Sequence, residues 1–580
     1  MMAISNRLLV SFNHKLINEN YSFFVITTSE KYINSGAYTL DKPTSILKAE
    51  SAVFDGGRSL FVMFKKNLIS KTQLVEQIED EKLSLKQVQS DEIKDYILFR
   101  LFLFSLNNFN SDEIKFNNIT GKFYITNPSW ITKNKNMFKA LNINVDQNMN
   151  IIVEATTFTR ISLFTNKKVL FDYPKYEFSN KNSSLKRVLY PENDNVYIRK
   201  SLFGVKAEIP FFEFSPKKLK NNKVYYLYYV LKIMKQKFEA LLSFEFATID
   251  IVKTIGRSRD ENIDEYVKDI VNFKDINIIN WSNSPEYEEY FQEIVAIFNE
   301  GKLGQLTCQK SIINGAYNII YLHDKDYYEQ NKYNDPYKNF PQQEVIQHIT
   351  VEESTDKIIS DNKAVYNTIL KELLIKDDII NKKSISLDNW ASFGFSGDYY
   401  FGKEKDGVHY FITIHKDGSF ELSHKSNDFS SFNDPVLNKC SDYLTDNKGK
   451  EKTVIADTNG NVMVISRTQS FTLPNEEIFS LEQISRSKES REQYLSGVVD
   501  INLYSQDDKT YYSAGIQGYG MQTSIPKAAH LYQVEAIEGK PFIEELLETM
   551  AVSFVKYKSF TVLPYPIKYL NEYILMCEHK

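Results

Sequence analysis

Cysteine is almost missing from this chain: there are three in 580 residues, Cys308, Cys440 and Cys577. Three isolated thiols supply neither a disulfide framework nor the paired spacing of a zinc ribbon, and they fit a reducing cytoplasm. Long apolar runs are missing too. The greasiest stretch, Tyr96 to Leu106, carries Arg100 and reaches only about half of the ~20 residues a membrane-spanning helix needs; it reads as a buried helix. The first fourteen residues lack the apolar core of a signal peptide. No phosphate-binding loop of Walker type and no dinucleotide glycine fingerprint occurs, and Gly394-Phe395-Ser396-Gly397 is one residue short of a nucleophile elbow. His409 and His415 have the even spacing of one strand face, but no third metal ligand lies near them in sequence. No internal repeat is present.

What is there describes a folded, multidomain protein. Hydrophobic residues make up 42%, and the length calls for three or four domains at roughly 100–200 residues each. Net charge is −5, which does not announce a nucleic-acid binder, but charge is unevenly spread. Residues 181–240 hold thirteen Lys/Arg against five Asp/Glu, an excess of eight. Lys217, Lys218, Lys220 and Lys223 form the densest part, followed by Tyr225, Tyr226, Tyr228 and Tyr229. Basic side chains of this kind track phosphates along a nucleic-acid backbone; an ordinary solvated surface reads equally well. The tyrosines fit a core better than a stacking surface.

Along the chain, residues 1–125 mix strand-like runs with a helical segment near Asp91–Phe109. Residues 126–250 are β-rich, with strand composition at Asn150–Phe158, Ile161–Phe164 and Leu202–Phe212, then a helix over Val224–Leu242. Asn- and Asp-rich stretches near 354–363 and 425–450 read as surface loops.

The chemistry-bearing pattern lies further on. Tyr328 and Lys332 sit four apart, which places them on one face of a helix; Gln343 follows eleven later, on a strand after a turn at Pro341; Lys376 closes a helix of apolar periodicity. A terminal phosphate carries nearly two negative charges. Two ammonium groups neutralise it, an amide donates to a remaining oxygen, and an aromatic ring offers the first base a stacking surface. A chain this rich in Lys and Tyr offers many such pairs, so the residues taken singly also read as a solvated helix face and a turn.

With the apolar run Ile319–Leu322 before Tyr328 and Trp390-Ala-Ser-Phe-Gly-Phe-Ser396-Gly after Lys376, residues 250–580 resemble the Argonaute family through its MID and PIWI domains. The C-terminal order supports it: Pro526–His530, then Phe542–Met550, then Leu563–Tyr569. The resemblance implies an α/β multidomain chain with a Rossmann-like MID domain at 251–385 and an RNase H-like PIWI domain at 386–580. Ahead of them stand an N-terminal α+β domain at 1–125 and a β-rich linker region at 126–250, too short to include a full PAZ domain. It assigns Tyr328, Lys332, Gln343 and Lys376 to the 5′ phosphate of a guide strand and allows Mg²⁺ there. The pair Asp377-Asp378 departs from the glycines that usually follow the last lysine, and Cys577-Glu-His-Lys580 from the usual apolar ending.

Active PIWI domains cut with metal ions held by carboxylates. The matching positions are Ser396, in a segment read as a glycine-interrupted strand, and Thr468; neither is an aspartate, and neutral oxygens hold divalent cations weakly. The resemblance therefore implies a cleavage-deficient guide binder with no catalytic residues, an RNA guide, a DNA target, a separate effector protein, and a role against plasmids or phages. Two rivals remain open: a metal-dependent nuclease using Asp398 in a shifted register with Asp457 or Asp500, and a scaffold of the same fold that binds no guide.

Overall fold

The computed structural model describes residues 2–578 apart from 32–38, 41–42, 44–46, 48, 79, 107–114, 117–121, 165–172, 180–183, 189–194, 203–208, 213–219, 258–260, 283, 301, 335, 337–339, 342, 352–362, 388–389, 427–430, 447–451, 474–498, 517–518, 521–527 and 551–562. The architecture is mixed α/β with four sheets. A four-stranded antiparallel sheet near the N-terminus is formed by Tyr21–Thr28, Ser51–Asp55, Ser59–Lys65 and Leu83–Val88. A seven-stranded sheet follows over 115–198. The helices Asp95–Phe104 and Lys223–Phe238 share one apolar core, and each buries side chains on more than one face. The Tyr96–Leu106 run is thus a buried helix; Tyr226 and Tyr228 are core residues, and Tyr225 and Tyr229 stack on each other.

The third sheet is parallel, in the spatial order Leu306–Thr307, Ile276–Asn280, Tyr317–Leu322, Ile346–Thr350. Its central strand Tyr317–Leu322 is buried at every position, as a parallel strand covered on both faces requires. The chain leaves Ile276–Asn280 toward one edge and Tyr317–Leu322 toward the other, so the order reverses between those two strands. Doubly wound folds put their binding crevice at such a reversal.

The fourth sheet has eleven strands, and every pairing in it is antiparallel. It begins as a meander, Tyr399–Lys405, Val408–Ile414 and Phe420–Ser426. The helix Pro435–Asp446 then returns the chain to Lys452–Asp457, on the other side of the first strand. Met2–Phe12 and Leu242–Arg257, from the N-terminal half, join this sheet; Met2–Phe12 pairs with both Leu242–Arg257 and Val462–Leu473, so this part of the sheet closes on itself. One continuous apolar cluster joins the parallel sheet, the meander and the C-terminal helix Pro566–Glu578.

Three local expectations fail for identifiable reasons. The 425–450 stretch contains a helix: Asp434 accepts from the Val436 N–H at 2.7 Å, Pro435 opens the first turn, and Leu437, Cys440 and Leu444 give a buried stripe. Ile161–Leu163 is a 3₁₀ turn, because pairing of the preceding strand ends where Arg160 meets Tyr197. Trp390–Phe393 is 3₁₀ rather than strand: Gly394 takes φ +69°, and the Trp390 ring is drawn into the core against Phe395 at 4.6 Å. Most of Leu202–Phe212 and Pro526–Lys527 fall outside the described residues.

Candidate nucleic-acid-end site

The edge strand Ile346–Thr350 brings part of the quartet together. Tyr328 lies in the helix Lys325–Asn331, which Asp324 caps by accepting from the Tyr327 N–H at 2.8 Å. It shares a buried cluster with Ile279, Ile320, Leu322 and Ile346. Lys376, in the last turn of the helix Lys363–Asp377, reaches the same strand from the other face. Its Nζ donates to the Ile346 carbonyl at 2.7 Å and to Gln347 Oε1 at 2.5 Å. Ile346 therefore links Tyr328, through its side chain, to Lys376, through its carbonyl.

The other two members stand differently from what the sequence suggested. The helix stops at Asn331, and Lys332 is its C-cap at φ 55°, so Lys332 leaves the face that carries Tyr328. It is exposed, and its ammonium has no ion-pair partner among the described residues. Gln343 is exposed in the turn after Pro341, three positions before the strand begins. The glutamine on the strand is Gln347, which the sequence reading missed. Its Nε2 donates to Glu372 Oε2 at 2.6 Å while its Oε1 receives Lys376. The β-branched pair Val345-Ile346 just before it was the available signal. Tyr328 does not offer an open ring: it is 7% exposed, edge-on to Tyr327 at 5.5 Å. Tyr333, beside Lys332, is 59% exposed and is the open ring of this group.

The two aspartates after Lys376 both have bonded carboxylates. Asp377 accepts from the Tyr317 hydroxyl at 2.8 Å and pairs with Lys274 and Lys382, both at 3.2 Å. Asp378, fully buried, accepts from Lys382 at 3.0 Å, the Ser386 N–H at 2.7 Å and the Tyr569 hydroxyl at 2.8 Å. Burial alone would raise both carboxyls. For Asp377 it is outweighed by donors from Asn381 and Tyr317 and by the Lys382 charge, which hold the group below its usual range. For Asp378 burial wins and the group is raised. The pair ties the parallel sheet to the C-terminal helix.

The nuclease positions do not assemble. Lys403 pairs with Thr453 and Thr453 with Ile465, so Ser396 precedes one end of these strands while Thr468 lies past the other. About ten residues at ~3.3 Å each put them roughly 30 Å apart along the strand direction. Ser396 is exposed in a bend ahead of its strand, and the Thr468 hydroxyl donates to the Leu531 carbonyl at 2.8 Å. Asp398 and Asp457 lie near each other on opposite faces. Asp457 is directly opposite Tyr399, while Asp398 shares the face of Tyr400. Asp398 Oδ2 meets His415 Nδ1 at 2.9 Å, and both Asp457 oxygens bind Asn459 and Asn461. Asp500 lies on another strand, Val499–Gln506, four pairings from the strand that ends at Asp457 and five from the strand that follows Asp398. Among the described residues no three His, Cys, Asp or Glu side chains gather as a metal site. His409 bonds Ser441 at 2.7 Å.

Of the basic residues, Lys217 and Lys218 lie outside the described residues, as do His579 and Lys580. Lys220 is exposed, its carbonyl accepting from Asn127 at 3.0 Å; Lys223 opens the helix Lys223–Phe238. No helix of the described residues is long and apolar enough to cross a membrane.

No family model matches the sequence, and no curated protein does. Among solved structures, the chain is similar to Kluyveromyces polysporus Argonaute with a guide RNA, at 10% identity over 100% of this chain and 94% of that one, TM-score 0.43. It is similar to A. aeolicus Argonaute at 10% identity over 98% and 97%, TM-score 0.36. Drosophila Piwi matches at 10% identity over 99% and 97%, TM-score 0.31. These TM-scores all lie below 0.5.

Proposed function

We propose that this protein is a guide-nucleic-acid-binding protein of Argonaute type, holding a strand's phosphorylated 5′ end at the Ile346–Thr350 edge. The observation that carries the reading is the meeting of Lys376, Gln347 and the Tyr328 cluster around Ile346; Lys332 and Gln343 are both exposed. Because Lys376 and the Tyr328 helix approach Ile346–Thr350 from opposite faces, the phosphate would sit at the open edge of that strand for both Lys332 and Lys376 to reach it, with Gln343 donating its amide and Tyr333 stacking on the first base. Lys376 exchanges a backbone carbonyl for a phosphate oxygen when a strand enters. Gln347 holds that ammonium in place meanwhile. Any Mg²⁺ at the end would be held chiefly by phosphate oxygens, since the nearest side chains are cationic or already bonded. Base pairing with the guide would select the target, the protein reading backbone and helix shape.

We further propose that the protein does not cut its target, because its candidate carboxylates fall on opposite faces or distant strands. An uncut target is useful only if it is signalled, hence a separate effector, in defence against invading DNA in the cytoplasm. The test is purification followed by extraction and 5′-end analysis of bound strands. Strands of uniform length with 5′ phosphates support the reading; a protein free of short strands overturns it. Guided, Mn²⁺- or Mg²⁺-dependent cleavage of a target would instead select the nuclease.

A further inference from the structure

We propose that the two turns carrying Phe273 and Leu303 form a docking surface for a partner protein, which they receive through a short basic segment bearing bulky apolar side chains. Phe273 follows the helix Glu261–Asn272 and leads into the strand Ile276–Asn280. Leu303 follows the helix Glu288–Asn299 and leads into Leu306–Thr307, the neighbouring parallel strand. Far apart in sequence, the two stand on touching backbone: the Leu303 N–H donates to the Asn272 carbonyl at 3.0 Å and the Gly304 N–H to the same oxygen at 2.7 Å. Phe273 is 70% exposed and Leu303 68%, the two most exposed bulky apolar side chains among the described residues. Apolar residues scattered singly over a surface are ordinary; the two extremes of the chain side by side mark an interaction site.

The backbone beneath the pair is clamped. Lys302 Nζ donates to the Val271 carbonyl at 3.0 Å, the Asn272 carbonyl at 2.9 Å and the Lys274 carbonyl, tying the end of one helix to both turns. Burial holds this ammonium below its usual range. A methyl at Gly304 would lie 2.7 Å from the Lys274 carbonyl oxygen and 2.8 Å from that of Phe273, so the close approach needs glycine. Anchors ordered in advance lose little freedom on binding. The rim sets the partner's charge. Asp269, Asp275 and Glu300, all exposed, lie within four residues of Phe273 or Leu303, and Asp275 Oδ1 accepts from the Gln305 N–H at 2.9 Å, between the two turns. The lysines of the same segments are engaged elsewhere: Lys268 lies over the Tyr366 ring at 5.6 Å, Lys274 pairs with Asp377 at 3.2 Å, and Lys302 holds its carbonyls. An apolar centre inside an acidic rim complements apolar anchors flanked by Lys or Arg. Two side chains cover far less than the ~800 Å² per partner of a stable dimer, which favours a short segment over a second copy of this chain.

The experiment pans a phage-displayed library of random 12-residue peptides on the full chain and, in parallel, on the variant Phe273→Ser with Leu303→Ser. Peptides enriched on the unaltered protein alone should be net positive and carry at least one Phe, Leu, Met or Trp. Synthesised with a fluorescent label, such a peptide should bind one per chain by anisotropy and at least tenfold more weakly to the double serine variant. Asp269→Asn with Glu300→Gln should weaken it too, reading the rim with both anchors intact. Lys332→Ala with Lys376→Ala should leave it unchanged, which separates this surface from the strand-end site. Both serine changes fall on exposed side chains, so the thermal midpoint should hold. Failure to enrich any peptide over the serine variant, or enrichment of acidic ones, overturns the proposal. So does concentration-dependent self-association in sedimentation that the serine variant abolishes, which would make a second copy the occupant.

Discussion

Replacing Asp378 with alanine takes one acceptor from three donors at once. Asp378 is fully buried and receives Lys382, the Ser386 N–H and the Tyr569 hydroxyl. Lys382 keeps Asp377 at 3.2 Å, but the Tyr569 bond is lost inside the core and the Ser386 bond at its margin. A buried donor left without its partner costs about 1–3 kcal/mol. Two such donors put Asp378→Ala at about 2–5 kcal/mol, with little added by the Lys382 arm, whose side chain is 32% exposed. Tyr569→Phe removes a single hydroxyl and leaves Asp378 two donors, so about 1–2 kcal/mol is expected. In the double variant Tyr569→Phe should cost almost nothing more, since its acceptor is already gone; the cycle should return a coupling of about 1–2 kcal/mol. Trp390 is buried in the same apolar cluster and is the natural probe. With Trp130 and Trp281 changed to Phe, urea unfolding followed by Trp390 fluorescence reads the junction directly. An Asp378→Ala shift below about 1 kcal/mol would refute a built network at this position.

Four further outcomes are expected. His530 is held down at about 4 by burial, then by the Arg467 charge. Its folded value is below the unfolded ~6.5, so its contribution is intact above pH 6.5 and lost as pH falls toward 4, by up to about 3 kcal/mol; urea midpoints across this window should flatten in His530→Gln. Gly402→Ala places a methyl 2.6 Å from Phe411 Cδ1 and 2.8 Å from Val454 Cγ1, so about 1–3 kcal/mol should be lost in thermal unfolding. Cys308 is exposed, whereas Cys440 is buried with its thiol pushed up to about 12, so a thiol reagent should label Cys308 first and Cys440 only on unfolding. Gln347→Ala frees the Lys376 ammonium from its holder, and should weaken binding of a 5′-phosphorylated strand in a filter assay tenfold or more.

Elements with strong local periodicity were legible in the sequence. The apolar run at Ile319–Leu322 is a buried parallel strand, and the pattern from Val224 onward is a helix packed on several faces. Less visible was anything decided by long-range register. Nothing near Ser396 or Thr468 tells which end of a strand each occupies; only the pairings through Thr453 and Ile465 do. Gln343 and Gln347 look alike in sequence, four residues apart and both just after the Pro341 turn, and the first residue of the strand settles which one meets Lys376. The capped helix at Pro435 was hidden by polar composition, although its Asp-Pro start and three-four apolar spacing were on view.

The most direct measurement is the affinity of the strand-free protein for one 18-nucleotide RNA carrying either a 5′ phosphate or a 5′ hydroxyl. Charge-assisted bonds of about 1.5–3 kcal/mol each predict at least tenfold tighter binding of the phosphorylated strand, falling to parity in Lys332→Ala with Lys376→Ala. Equal affinity for the two strands in the unaltered protein, or undiminished discrimination in the double variant, would contradict capture of the phosphate at this edge.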